Sequence, residues 1–365
     1  MPSRSTITLF IWISLTSMVV SGLYGHFYPF ARSGIGAEGY LRGAAIGAII
    51  SSILAALEIY VFTGPRGAPF RRAPFLVYLA ARMLIYLAVT LFGLAAGQWL
   101  IPTDTGISIR RGDLVFSTVL SVGFNLFLGV NRLLGQNVLF NFAAGRYHRP
   151  RIEDRVLLFI DLESSTAIAE TLGEIAFVVF LNRFVGDITD PIVMQRGEIH
   201  KYVGDELIVT WPLARGVADA RCIRACFDAL RRLAARGADY ERDFGRRAKF
   251  RAALHCGPVV IGELGSVKME IALLGDTMNT AARIQQACRD TGHRILASAA
   301  LMSRIAALPP GIVMRPLGPT RLRGKEVALD LYALDAAAGG GGVAATPSEP
   351  PSPKPDPTVP SNSPQ

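Results

Sequence analysis

The spacing of apolar and polar positions divides the chain into three parts. Within residues 1–134, four long apolar runs alternate with short polar segments. In residues 155–335 short β-rich runs instead alternate with stretches of helical periodicity. Residues 336–365 are rich in Gly, Pro and Ser, so they cannot bury a core, and we expect a disordered tail.

The four apolar runs predict an all-α transmembrane domain of about four helices. Each run is close to the ~20 residues that an α-helix needs to cross a bilayer. For the first run a cleaved signal peptide is the alternative, because Arg4 precedes it, but the three later runs favour a retained span. The predicted spans are residues 6–24, 43–62, 74–100 and 114–134, and a juxtamembrane linker follows at residues 135–154.

The arginines indicate how these spans are oriented. They precede the first run, lie between the second and third runs, and follow the fourth run. Because positively charged loops stay on the cytoplasmic side of a membrane, the N-terminus and the C-terminal domain are both predicted to be cytoplasmic, with membrane lipids as partners. The arginines concerned are Arg4, Arg66, Arg71, Arg72, Arg132, Arg146, Arg149 and Arg151.

Two ionisable residues, Glu58 and Arg82, lie within the apolar runs. An ionisable residue inside a membrane usually has a functional role. Both also lie within about two helical turns of a run end, so their side chains could instead extend to the interface. The sequence leaves both interpretations open.

Composition and charge limit the classes of molecule that the protein is expected to bind. The chain has 38 basic and 29 acidic residues, a net charge of +9, which suits nucleic acid, an anionic membrane or an anionic substrate. Many arginines stand beside apolar runs and no basic stripe is interleaved with aromatic residues, so we expect no nucleic-acid partner. The cysteines lack a zinc-binding spacing and are predicted to be buried free thiols: Cys222, Cys226, Cys256 and Cys288.

The C-terminal part reads as an α+β domain. The order β-α-β-β-α-β is the ferredoxin-like arrangement. A helix N-cap is expected at Ser165 or Thr166, and a break near Gly173. The predicted strands are Val156–Ile160, Glu198–Tyr202, Leu207–Trp211, Lys249–His255, Val259–Leu264, Arg294–Ala297 and Asp330–Ala333, and the predicted helices are Ala167–Arg196, Val217–Phe244 and Asp276–Arg289.

Two carboxylates are the first candidates for chemistry. Asp161 ends a buried strand beside a hydroxyl-rich turn, and Asp205 follows Gly204 in a predicted hairpin turn. Two acids that meet at one place would suit divalent metal and phosphate chemistry. Taken singly, each has a simpler explanation, a helix cap for Asp161 and a turn residue for Asp205.

Three motifs together resemble the catalytic domain of class III nucleotide cyclases. They are Phe159-Ile160-Asp161, Lys201-Tyr202-Val203-Gly204-Asp205 and Gly275-Asp276-Thr277-Met278-Asn279-Thr280-Ala281-Ala282-Arg283. The resemblance, to bacterial members, implies a membrane-anchored adenylate cyclase of the bacterial inner membrane that makes cyclic AMP and pyrophosphate from ATP in intracellular signalling. It implies Asp161 and Asp205 as ligands of two Mg²⁺ or Mn²⁺ ions in each active site.

The resemblance also assigns roles to the remaining site residues. Lys201 would recognise the base and Asn279 would orient the ribose. Arg283 would stabilise charge that develops on the α-phosphate, and Lys325 would hold the terminal phosphates. The turn that would receive phosphate oxygens comprises Leu162, Ser164, Ser165 and Thr166. Because the family divides these groups between two subunits, a homodimer with two equivalent sites is expected.

The chain departs from the family pattern at two places. Glu163 and Ser164 stand in the phosphate turn, where the family more often has Gly. Ala272 replaces the polar residue that contacts the base, so base selectivity would rest on Lys201 and the shape of the pocket. ATP is favoured, a guanylate cyclase is one alternative, and a catalytically silent nucleotide-binding sensor module is another. The stimulus upstream is not encoded in any motif.

Overall fold

A computed structural model describes residues 4–27, 37–62, 75–101, 111–134, 148–267, 269–324 and 327–337. The chain divides into two compact units, one comprising residues 1–149 and 263–271 and the other residues 150–262 and 272–365. Residues 135–147 of the predicted linker and residues 338–365 of the predicted tail lie outside the described residues.

Helices occupy all four positions predicted as membrane spans. They are α1 (Arg4–Phe27), α2 (Ala37–Leu57) with a π-helical extension (Glu58–Phe62), α3 (Phe75–Leu100) and α4 (Arg111–Leu134). Among the described residues, three helices contain stretches long and apolar enough to cross a membrane, namely Phe10–Phe27, Glu38–Phe62 and Ala80–Leu100. These three suggest membrane anchoring, and the fourth predicted span stays a prediction.

Small residues bring the backbones of α1 and α2 into direct contact. A Cβ added at Gly43 would lie 2.1 Å from the carbonyl oxygen of Ser21, and one at Gly25 would lie 2.2 Å from the carbonyl oxygen of Gly39. Close approach through small residues is typical of helices that associate in membranes, where packing rather than hydrophobic burial drives association.

Glu58 and Arg82 pair with each other rather than extend to an interface. Nη2 of Arg82 donates to Oε2 of Glu58 at 2.7 Å, and the side chains are 14% exposed for Arg82 and 11% for Glu58. The Tyr86 hydroxyl donates to the same oxygen at 3.3 Å. The π-helical turn begins at Glu58, and such turns are frequent at functional positions.

The second unit is built on one mixed sheet of eight strands in the described residues. Its order is β2-β3-β1-β4-β6-β8-β7, with β5 paired to β4, and β4 and β6 are parallel. The antiparallel order β2-β3-β1-β4 confirms the predicted ferredoxin-like α+β fold. The strands are β1 (Arg151–Leu162), β2 (Glu198–Val203), β3 (Glu206–Pro212), β4 (Phe250–Leu264), β5 (Glu270–Leu274), β6 (Ile295–Ser298), β7 (Ile312–Thr320) and β8 (Leu329–Ala336).

Helices cover both faces of this sheet. The main core lies between one face and the helices α6 and α8, with Phe180, Phe184 and Trp211 fully buried. On the other face α10 lies along β1 and β6. All four cysteines are buried and free, as predicted. The helices are α5 (Ser165–Leu172), α6 (Glu174–Met194), α7 (Leu213–Val217), α8 (Arg221–Ala235), α9 (Gly237–Phe244), α10 (Asp276–Thr291) and α11 (Ala299–Met302).

Several predicted boundaries were wrong. Gly257 and Pro258 do not separate two strands, because both stay paired with β1 inside a continuous β4. The long helix predicted from residue 217 to residue 244 is interrupted at residues 218–220 and at Arg236. Strands β5 and β7 were not predicted, and β7 contains two prolines that its edge position tolerates. Strand β1 begins at Arg151, inside the predicted linker.

The contact between α1 and α2 can be tested with one methyl group. Gly43→Ala should lower the melting temperature of the full-length protein in detergent by several degrees, because the new Cβ would displace the backbone of α1. Gly123→Ala is the matched control, since a Cβ there meets nothing within 4 Å. The control should melt at or slightly above the wild-type temperature. Equal melting of the two variants would contradict the packing described for α1 and α2.

Candidate active site

Three carboxylates lie near one another at the end of β1 and the turn of the β2–β3 hairpin. Asp161, the penultimate residue of β1, pairs directly with Glu206, the first residue of β3. Directly opposed residues of antiparallel strands point to the same face. Asp205 directly precedes Glu206 and lies in the hairpin turn with Gly204. Gly204 has a φ of 62°, which glycine adopts readily. The hairpin predicted from the sequence is confirmed.

The surroundings concentrate negative charge at this place. Asp161 is buried, with 5% of its surface exposed. Burial, together with the charges of Asp161 and Asp205, raises the pKa of Glu206 to about 7, although the charge of Arg289 lowers it. With a pKa of about 7, Glu206 is partly protonated near neutral pH because burial and the neighbouring negative charges disfavour its charged form. A bound cation would relieve the repulsion among these charges.

Arg289 supplies one cation to this cluster. Its Nη2 donates to Oδ2 of Asp161 at 2.6 Å. Arg289 lies near the end of α10, and no sequence motif singled it out. Only the packing of α10 along β1 brings it to Asp161, so the sequence carried no signal for this contact.

The predicted phosphate turn lies directly after β1. The N-cap of α5 is Ser164, one residue earlier than predicted, with φ of 57° and without a capping hydrogen bond from its side chain. The first backbone N–H groups of α5 have no partner within the helix, as at any helix start. Ser165 and Thr166 belong to this first turn, whereas the side chain of Leu162 is buried in the core, so only its backbone can face a ligand.

The Glu163 side chain at this turn forms an ion pair with an arginine. Its carboxylate lies 3.6 Å from Nε of Arg294, and its backbone N–H donates to the carbonyl of Lys249. The ion pair neutralises the charge that the sequence placed beside the phosphates. The unusual glutamate is therefore compatible with an anionic ligand.

Helix α10 positions Asn279 and Arg283. Thr277 Oγ1 donates to the carbonyl of Pro258 at 2.5 Å, which ties the start of α10 to β4. Gly257 permits this approach, because a Cβ there would lie 2.8 Å from Thr277 Oγ1. Asn279 is exposed, and Arg283 is half-buried.

The turn near residue 324 lies beside Arg283. A Cβ added at Gly324 would lie 3.6 Å from Arg283 Nη2, and Arg283 Nη1 donates to Oε1 of Gln286 at 3.3 Å. Lys325 itself lies outside the described residues, but its neighbour Gly324 is next to Arg283. The basic turn and α10 thus meet at one place.

The predicted site residues fall into two groups. Arg283 and Asn279 precede Arg289 by six and ten residues, so their Cα atoms lie about 9 and 15 Å along the helix axis from the end that contacts Asp161. Lys201 is exposed on β2, opposite Ile208, and shares the sheet face of Glu206. Ala272 lies in β5. One chain therefore does not gather Asn279 next to Asp161.

The donor set at the acid end fits divalent ions. Carboxylate oxygens are the ligands that Mg²⁺ and Mn²⁺ prefer, and Asp161 already holds a cationic group in Arg289. Within the described ranges, no three His, Cys, Asp or Glu side chains are arranged to hold a metal by themselves. Mg²⁺ takes six ligands, so ions bound by Asp161 and Asp205 would have further positions for phosphate oxygens.

The raised pKa of Glu206 predicts how stability depends on pH. Its pKa rises from 4.5 to about 7 on folding, so its contribution to stability is fully present below pH 4.5 and is lost as the pH rises through about 7. Glu206→Gln removes this loss. In EDTA, the melting temperature of this variant should rise relative to the wild type between pH 5 and about pH 7.5, and a difference that is constant with pH would contradict the placement of Glu206.

Comparison with known proteins agrees with this geometry. Residues 148–336 match the family described as "Adenylate and Guanylate cyclase catalytic domain". The chain is 33% identical over 307 residues to "Adenylate cyclase 2" of Rhizobium meliloti, covering 82% of this chain and 84% of that protein. It is 28% identical over 237 residues to "Adenylate cyclase 1" of the same organism, covering 64% of this chain and 34% of that protein.

A solved structure shares the fold. It is that of a bacterial light-regulated adenylyl cyclase, with a TM-score of 0.53 and 21% identity over 61% of this chain and 64% of that one. At this identity the likeness concerns the fold alone. The family match spans more than half of the chain, and the solved structure has the same fold as the matched part. The chain therefore belongs to the family of adenylate and guanylate cyclase catalytic domains.

Proposed function

We propose that this protein is a membrane-anchored adenylate cyclase, which converts ATP to cyclic AMP and pyrophosphate for intracellular signalling. The observation that carries the proposal is the pairing of Asp161 with Glu206, which brings Asp161 close to the Gly204–Asp205 turn, just before the start of α5. An acid pair next to free backbone N–H groups suits a metal-bound triphosphate. The adenylate cyclase names of two relatives support the same substrate class.

Asp161 and Asp205 would hold two Mg²⁺ or Mn²⁺ ions in each active site. Ions bound there neutralise triphosphate charge and make the ribose 3′-hydroxyl more acidic. The backbone at the start of α5, with Ser164, Ser165 and Thr166, would receive phosphate oxygens. The pair of Glu163 with Arg294 keeps a second negative charge away from them.

The site is completed by a second copy of the chain. Asn279 and Arg283 lie along α10, away from Asp161, so they suit a substrate bound mainly by the acids of the partner subunit. There Asn279 would orient the ribose, and Arg283 would stabilise charge on the α-phosphate. Lys201 would contact the base, and Lys325, beyond Gly324, the terminal phosphates. The result is a homodimer with two equivalent sites.

The choice of base is the finer part of the proposal. Ala272 can neither donate nor accept a side-chain hydrogen bond, so selectivity rests on Lys201, backbone groups and the shape of the pocket. A lysine ammonium only donates, which suits adenine N1 or guanine O6. The adenylate cyclase relatives favour ATP; a guanylate cyclase is the second candidate, and a silent nucleotide-binding sensor module the third.

The three apolar helices support membrane anchoring. If α4 also spans the membrane, the arginine distribution places the N-terminus and the cyclase domain in the cytoplasm, at a bacterial inner membrane. We further propose the domain limits as residues 1–134 for the membrane part, 135–154 for the linker, 155–335 for the cyclase domain and 336–365 for the tail, with linker residues 151–154 already part of β1.

A nucleotide turnover assay tests the proposal. Full-length protein in detergent with Mn²⁺ should form cyclic AMP from ATP faster than cyclic GMP from GTP. Asp161→Asn and Asp205→Asn should each lower the rate by more than about a hundredfold, since each removes a ligand worth several kcal/mol in the transition state. Asp243→Asn is the matched control, because Asp243 pairs with Arg183 on the surface, and it should keep the wild-type rate.

The other outcomes separate the alternatives. Faster turnover of GTP would identify a guanylate cyclase. Tight nucleotide binding without turnover would identify a sensor module. Full activity of Asp161→Asn would overturn the assignment of the metal ligands.

A further inference from the structure

We propose that Arg289 is a latch on Asp161, which competes with a divalent ion for one of the two carboxylate oxygens. The inference rests on the proposed function, because it assumes that Asp161 binds the metal. The inference adds that Arg289, a residue outside the catalytic motifs, controls how tightly the site binds metal ions.

The contact between Arg289 and Asp161 is short, and it joins an exposed side chain to a buried one. Nη2 of Arg289 lies 2.6 Å from Oδ2 of Asp161, whose side chain is only 7% exposed, whereas that of Arg289 is 60% exposed. The arginine thus reaches from the surface to a buried carboxylate. Because most of its side chain is in solvent, it can leave Asp161 without disturbing the core of the domain.

Arg289 faces the whole acid cluster. The hydrogen bond to Asp161 raises the pKa of Arg289, and the charges of Asp205 and Glu206 raise it further. The same guanidinium lowers the pKa of Glu206. Arg289 therefore neutralises the charge that a divalent ion would neutralise at this place.

The two cations compete for one oxygen. Arg289 donates to Oδ2 of Asp161, one of the two oxygens with which this carboxylate would hold divalent ions. A guanidinium and a divalent ion at the same oxygen repel each other. Release of Asp161 by Arg289 therefore favours loading of the ions, and the energy of this pair weakens metal binding.

A second arginine provides the control for a general charge effect. Arg294 lies near the acids, because its Nε is 3.6 Å from the carboxylate of Glu163, two residues after Asp161. Replacing Arg294 removes the same charge near the acids without freeing Asp161. A latch on Asp161 and a general electrostatic field therefore predict different results for the two positions.

The test measures Mn²⁺ binding to the full-length protein in detergent, without nucleotide. Binding is detected as the loss of the electron paramagnetic resonance signal of free Mn²⁺. Arg289→Gln should bind Mn²⁺ about tenfold more tightly than the wild type, which corresponds to about 1.4 kcal/mol, near the lower end of the range for a hydrogen bond to a charged group. Arg289→Lys keeps the charge and should stay within about threefold of the wild type, as should Arg294→Gln. The rise in melting temperature on adding Mn²⁺ should also be larger for Arg289→Gln.

Unchanged or weaker Mn²⁺ binding by Arg289→Gln would overturn the latch, and so would equal tightening by Arg294→Gln. Asp161→Asn separates the latch from the proposed function. If Asp161→Asn loses Mn²⁺ binding while Arg289→Gln binds as the wild type does, the latch alone fails. If Asp161→Asn binds Mn²⁺ as tightly as the wild type, the metal site and the proposed function fail together.

Discussion

The repulsion among Asp161, Asp205 and Glu206 is the constraint on which the site depends. The pairing of β1 with β3 and the tight β2–β3 turn place these carboxylates together, and partial burial removes the water that would screen them. Such a cluster requires cations. The contact with Arg289, the raised pKa of Glu206 and the proposed divalent ions are three consequences of the same charge balance.

Much of this arrangement could be predicted from the sequence because it is local. The apolar run before Asp161 indicates a buried strand, and the Gly204–Asp205 pair between two β-rich runs indicates a hairpin turn. The four apolar runs likewise predict helices by length alone. In each case the signal lies within about thirty consecutive residues, so no tertiary contact is needed to find it.

The rest depends on contacts between distant parts of the chain. Glu206 gains its shifted pKa from the register with β1, and Arg289 reaches Asp161 only because α10 packs on that strand. Gly257 and Pro258 read as a turn, yet pairing with β1 keeps them in β4. The same holds for Glu58 and Arg82, which lie on different helices and whose pairing no local pattern shows.

The acids lie at one end of α10 and Asn279 lies about 15 Å away along it, and this separation supports the proposal that one site needs two copies of the chain. Co-purified mixtures of Asp161→Asn and Asn279→Ala chains test this claim most directly. Each variant alone should be inactive, whereas an equal mixture should recover about a quarter of the wild-type activity, because half of the dimers hold one intact site of two. A mixture as inactive as its separate components would contradict the account and place the whole site within one chain.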